Sequence, residues 1–257
     1  CLSAAFPSYS SFLLTLLQIL HSFTSRRSTF LAESCWKTVP STLVSASPLQ
    51  VLMSGASAIP GLLEEINACK SMATSEAAST LEKAFTTLVE LATWLAQNQQ
   101  PGSESKLSWW YVARARNDSC IWFADITMAN YLTHSWAFWI ICTTTIRQLR
   151  ADYPCLKGKQ IHLNGHKPES EPITQQLIEI SIRILQSMDF LMQDDMKLYG
   201  VASATLPFQA AYDFLEMIDK GPCARVCKQA LYKITQKGYR GLLFNEGHAF
   251  GYPPATA

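Results

Sequence analysis

Charge is scarce in this chain. Of its 257 residues only 16% are Asp, Glu, Lys or Arg, against roughly a quarter in an average soluble domain. Twenty-one basic and twenty acidic residues leave a formal net charge of +1, and Arg26-Arg27 is the one tight basic pair. Nothing here is the clustered Lys and Arg footprint of a protein that grips nucleic acid by its phosphates. The chain also lacks Gly-x-Ser-x-Gly, a P-loop, a Gly-rich dinucleotide fingerprint and His-Glu-x-x-His, which removes the motif grounds for the corresponding hydrolases, NTPases, dehydrogenases and metalloproteases. Cysteine is sparse: eight, at 1, 35, 69, 120, 142, 155, 223 and 227, too scattered for a disulfide scaffold and better suited to a reduced intracellular compartment. In such a compartment the triplet Asn117-Asp118-Ser119 stays bare.

An unbroken apolar span is missing as well. "SSFLLTLLQILHSF" near the start has no basic residue before it and no A-x-A-like site after it, so it does not read as a signal peptide. Ile126 to Ile146 carries no Asp, Glu, Lys or Arg but holds Thr127, Asn130, Thr133, His134, Ser135, Thr143, Thr144 and Thr145, each costly in lipid unless bonded. No membrane partner is expected.

What is present is 48% hydrophobic residues and seven Trp, enough for broad buried helix faces. In the same run Leu132, Trp136, Trp139, Ile140 and Thr143 share one helix face, while Met128, Tyr131, Phe138 and Ile141 fall on other sides. A helix apolar nearly all round belongs at the centre of a core. Asp125 is its expected N-cap, and Pro154 its expected limit. Around it the pattern predicts helices over 9–24, 48–57 and 60–72, the latter two opened by Pro48 and Pro60. A further helix starts at Thr74 or Ser75 with Leu81, Phe85, Leu88, Leu91, Ala92 and Leu95 in a stripe. Residues 97–106 and 157–172 read as polar loops, and 107–123 as a short strand or an irregular aromatic segment. From Pro172 the stripe Ile173, Leu177, Ile180, Ile184, Met188, Leu191 predicts a long helix that Gly200 ends. Two more helices follow at 206–219 and 222–239. The fold class is therefore all-α: a single irregular bundle of about seven to nine helices, spanning 1–257, around a Trp-rich central helix.

Three constellations carry potential chemistry. His162 and His166, with Cys223 and Cys227, share four-residue steps and would make a two-His, two-Cys metal set; the His pair, however, lies in a loop with Gly165 and Pro168, so no metal ligand is assigned. Asp194-Asp195 near the end of the long helix resembles the Mg²⁺-binding acid pair of helical enzymes that ionise prenyl diphosphates. Leu198 stands where those enzymes place a further Asp, and no Arg and Lys cluster accompanies the pair. A solvated or partnered acidic face, with Arg147 or Lys197 as partner, is the favoured reading. His134, Trp136 and Trp139 are core residues first and pocket wall second.

The pieces "RRSTFLAESCWKTVP", "IPGLLEE", "ITMANYLTHSWAFWIICTTTIRQLR", "ILQSMDFLMQDDMKLYGVASATLPFQAAYDFLE" and "VCKQALYKITQKGYRGL", in that order over about 26–244, resemble the region that follows the DNA-binding domain in fungal zinc-binuclear-cluster (Zn2Cys6) transcription factors. Ser41 departs from the pattern, standing where such proteins often have another Trp. The resemblance implies a helical regulatory region, a nuclear location and a part in transcription regulation, often of secondary metabolism. It implies DNA contact only through an N-terminal cluster of six cysteines holding two zincs. That cluster is absent here, since no Cys-x2-Cys-x6-Cys spacing occurs. The chain begins with Cys and is expected to be a piece of something longer, with the cluster upstream.

The resulting expectation is the effector-responsive part of a transcription factor, not an enzyme, with no cofactor and no catalytic residue of its own. A small apolar effector would sit near His134, Trp136, Trp139, Gln193, Asp194 and Asp195. Partners would be a second copy or the transcription machinery. The alternatives are a helical enzyme acting on isoprenoid or other secondary-metabolite intermediates, and a plain interaction or dimerisation module.

Overall fold

The computed structural model describes residues 6–36 (side chains from Leu14 on), 46–70, 75–98, 109–113, 119–218 and 232. The described residues are mainly helical. Helix α1 spans Phe6–Ser25, α2 Pro48–Ala56, α3 Ile59–Lys70 and α4 Ser75–Gln97. A hairpin of β1 (Trp109–Ala113) and β2 (Ser119–Phe123) follows. Then come α5 (Ile126–Asp152), the single turn α6 (Pro154–Lys157), α7 (Glu171–Leu191) and α8 (Lys197–Met217). Eight helices and one small hairpin, among the described residues, bear out the all-α bundle. No helix among them is long and apolar enough to cross a membrane.

Local chemistry accounts for the boundaries. Ser47 closes a capping box with Gln50, and Pro48 fills the first turn of α2, where its missing N–H costs nothing. Asp125 Oδ1 accepts from the Met128 amide at 2.8 Å and starts α5. Tyr153 ends it, one residue before the proline. The stripe expected on α4 is buried at Leu81, Phe85, Leu88, Ala92 and Leu95. Helix α5 is enclosed on all sides: Trp136, Phe138, Trp139 and Cys142 each keep 2% or less of their surface. It touches α2, α4, β2, α7 and α8, and Phe138 stacks on Phe23 of α1 at 5.4 Å.

The ambiguous aromatic segment is the hairpin. Strand β1 pairs antiparallel with β2, Trp109 opposite Phe123 and Ala113 opposite Ser119. It is fastened to α7: Gln186 Nε2 donates to Ser119 Oγ at 3.0 Å, Phe123 meets Phe190 edge-on, and the Arg183 guanidinium lies over the Trp109 ring.

The long helix ends sooner than its periodicity predicts. It stops at Leu191, with Met192 as C-cap. A 3₁₀ turn at Asp194–Met196 follows, and α8 starts at Lys197, whose φ is +46°. Gly200 is thus inside α8 and not beyond the end of α7. The reason is spatial. A Cβ at Gly200 would stand 2.0 Å from the Leu191 carbonyl oxygen, so the first turn of α8 presses onto the C-terminal end of α7 where only a bare Cα fits. The helix predicted at 206–219 is the second half of α8, which runs through Pro207. The helix predicted at 222–239 falls outside the described residues apart from Tyr232.

Arg150 organises the connection from α5 to α7. It is buried, and its guanidinium donates to the carbonyls of Lys159 (2.8 Å), Lys157 (3.3 Å) and Leu156 (3.5 Å), and to the Glu169 carboxylate. One side chain thereby satisfies three backbone acceptors of a segment with little regular structure of its own.

Candidate functional site

The three helices that carry the most specific pieces of the resemblance form one packed unit. Helix α7 runs antiparallel to α5, since Glu169 and Glu171 lie beside Arg147 and Arg150 at the C-terminal end of α5, while Phe190 reaches the hairpin that precedes it. Helix α8 turns back along both, and the Asn130 amide donates to the Tyr199 hydroxyl at 3.0 Å.

His134 lies one turn beyond Asn130 and is 1% exposed. Its Nδ1 is 2.9 Å from the Asn130 carbonyl, so the neutral ring carries its proton there and donates. Burial holds its pKa down at about 4, only partly opposed by that bond. The group is therefore a neutral donor to its own helix at pH 7, positioned as core. Burial likewise pushes the Cys142 thiol up, which removes it as a nucleophile.

The other expected residues divide in two. Trp136 and Trp139 are fully enclosed with His134. Gln193, Asp194 and Asp195 belong to the turn between α7 and α8. Gln193 folds its amide back onto the Phe190 carbonyl at 2.9 Å, and both aspartates are exposed. The acid pair thus stands on a turn after the long helix and not on an inward helix face. Arg147, considered as its partner, is instead beside Glu169 and Glu171 at the other end of α5. Burial lowers the Arg147 pKa and those two carboxylates raise it. His162 and His166 are exposed on a tight turn closed by a Leu163–His166 bridge with Gly165 at φ +80°. Cys223 and Cys227 lie outside the described residues. No group of metal-ligating side chains occurs among the described residues.

A different set emerges within α5. Ser135 Oγ, Trp139 Nε1, Thr143 Oγ1 and Arg147 Nη1 are buried atoms with no hydrogen-bond partner among the described residues. They recur every fourth residue, which places them on one inclined row of the helix. Thr133 and Thr144, by contrast, donate to carbonyls four residues back, at 2.7 Å each. Buried polar groups without partners are rare, and each calls for an explanation such as a bound molecule. The row was present in the sequence as Ser-x3-Trp-x3-Thr-x3-Arg. Its significance was not legible there, because the self-bonded hydroxyls beside it are equally buried and only the hydrogen-bond partners set the two groups apart. Chemically the row offers donors and no charge until Arg147, so it suits an apolar body carrying acceptor oxygens, not a reacting centre. The chain matches no protein-family model, no curated protein and no solved structure.

Proposed function

We propose that this chain is the regulatory, effector-responsive region of a fungal transcription factor of the zinc-binuclear-cluster type, acting in the nucleus and reaching DNA only through a module outside the chain. The observation that carries the reading is the polar row Ser135, Trp139, Thr143 and Arg147, buried within the helix that is the centre of both the core and the resemblance. An effector with acceptor oxygens on an apolar body would satisfy these donors. It would bind only the conformation that keeps α5, α7 and α8 together, and so shift the domain toward it. Trp136 and His134 then act as packing around the site, and the Gln193–Asp195 turn as surface. The enzyme alternative needs its two carboxylates facing inward on a helix, and here Asp194 and Asp195 are exposed, so no observation favours it.

The test is a reporter assay in a fungal host. The chain is fused to an unrelated DNA-binding domain and compared with that domain alone. A change in reporter output that is altered by Thr143→Val, with fusion abundance unchanged, is the expected result. Output indistinguishable from the DNA-binding domain alone would refute the regulatory reading.

A further inference from the structure

The ends of α3 and α5 meet through an ion pair, Lys70 Nζ to Asp152 Oδ2 at 3.6 Å. Each of these segments carries a free thiol. Cys69 immediately precedes Lys70 and is half-buried; Cys155 follows Asp152 by three residues, in the single turn α6, and is exposed. The contact between Lys70 and Asp152 therefore brings together two element ends that each carry a thiol within three residues of it, and Tyr153 between them has its phenol pKa raised by burial first, then by Asp152, Cys69 and Cys155. Among the other described cysteines, Cys120 and Cys142 are buried, and Cys35 is exposed on the segment after α1.

We propose that Cys69 and Cys155 are a redox pair that a peroxide converts into an intramolecular disulfide, clamping α3 to the junction of α5 and α6. The more exposed thiol reacts first. Cys155 loses its proton and its sulfur attacks a peroxide oxygen; the O–O bond breaks, giving a sulfenic acid, and the departing hydroxide takes the proton to become water. The Cys69 sulfur, deprotonated in turn, attacks the Cys155 sulfur. The S–O bond breaks and the leaving hydroxide takes up the second proton. Two thiols have lost two protons and two electrons, and one peroxide has become two waters. Both residues sit at element ends, Cys69 next to last in α3 and Cys155 second in a four-residue turn, where the backbone can adjust to the Cα separation of about 4.4–6.8 Å that a disulfide requires. The bond would close the chain between α3 and α6 into one loop and so hold α4, the hairpin and α5 together as a unit. This inference stands apart from the regulatory reading and can fail or hold without it.

The experiment is peroxide titration of the reduced full chain, followed by alkylation, intact mass and non-reducing peptide mapping. The expected dominant product has lost two hydrogens and links the Cys69 and Cys155 peptides, in a yield independent of protein concentration. Cys69→Ser should abolish it and let a sulfenic acid accumulate on Cys155, trapped by dimedone; Cys155→Ser should abolish both. The melting temperature of the oxidised chain should rise and return on reduction with a thiol. Unchanged circular dichroism of the two variants keeps the comparison clean. A dominant crosslink through Cys35 or any other cysteine, a crosslink between chains, or over-oxidation of Cys155 without a crosslink would each overturn the proposal.

Discussion

Acid should weaken this fold through one histidine. In the folded chain burial holds the His134 pKa near 4, against an ordinary value of 6.5. A folded-state pKa below the unfolded one means that, between those values, the unfolded chain binds the extra proton. Stability then rises with pH, is fully present above about 6.5, and is lost as pH falls toward 4. At about 1.4 kcal/mol per pH unit for one proton, the loss between pH ~7 and pH ~5 comes to about 2 kcal/mol, a sizeable share of the roughly 5–15 kcal/mol that keeps a domain folded. The assay is urea denaturation of the wild-type chain and of His134→Gln across that range. Glutamine can still donate to the Asn130 carbonyl but cannot charge. Subtracting the two curves cancels what the two proteins share and leaves the contribution of position 134. The wild type should lose about 2 kcal/mol relative to the variant over those two pH units. If the two proteins lose stability in parallel, His134 is not sealed from water, and the account of α5 as an enclosed central helix is wrong.

Other substitutions probe the remaining framework. Gly200→Ala places a methyl group against the Leu191 carbonyl and should cost about 3 kcal/mol or more; Gly158→Ala, whose Cβ would meet only the Cys155 carbonyl at 3.9 Å, should leave the urea midpoint almost unchanged. Arg150→Met strands the carbonyls of Leu156, Lys157 and Lys159 and should cost about 2–4 kcal/mol, with faster amide hydrogen exchange across 156–170; Arg150→Lys should recover only part, since an ammonium cannot reproduce the fork. Lys197→Gly removes a side chain from a backbone at φ +46° and should raise stability by about 1 kcal/mol, read as a higher melting temperature.

The long periodic helices were legible because burial and sequence obey the same 3.6-residue rhythm: Asp125 starts α5, Pro172 sits in the first turn of α7, and the Leu81 to Leu95 stripe is the buried side of α4. Legibility failed where a tertiary contact decides. Gly200 looks like a helix terminator in the sequence, but its role is to admit the Leu191 carbonyl, a contact between two helices. Pro207 looks like a helix start and is carried within α8. The hairpin escaped because Trp109 to Ala113 is exposed nearly throughout, so no alternation of apolar and polar residues announces it. For the candidate site, helical spacing on a helix apolar nearly all round reads His134, Trp136 and Trp139 as core residues first, and all three are buried. The acid pair was carried onto a helix end by extending a periodicity that in fact stops at Leu191. The row from Ser135 to Arg147 needed knowledge of which hydroxyls find their own backbone.

The self-bonded hydroxyls have a consequence for how such a domain can diverge. Thr133 and Thr144 each donate to a carbonyl of α5 itself, so these hydroxyls need no acceptor from the surrounding helices. Neighbours of such a helix are constrained there by volume and shape, which many apolar combinations can meet. Descendant chains could therefore replace the helices around these positions while retaining the central one nearly letter for letter.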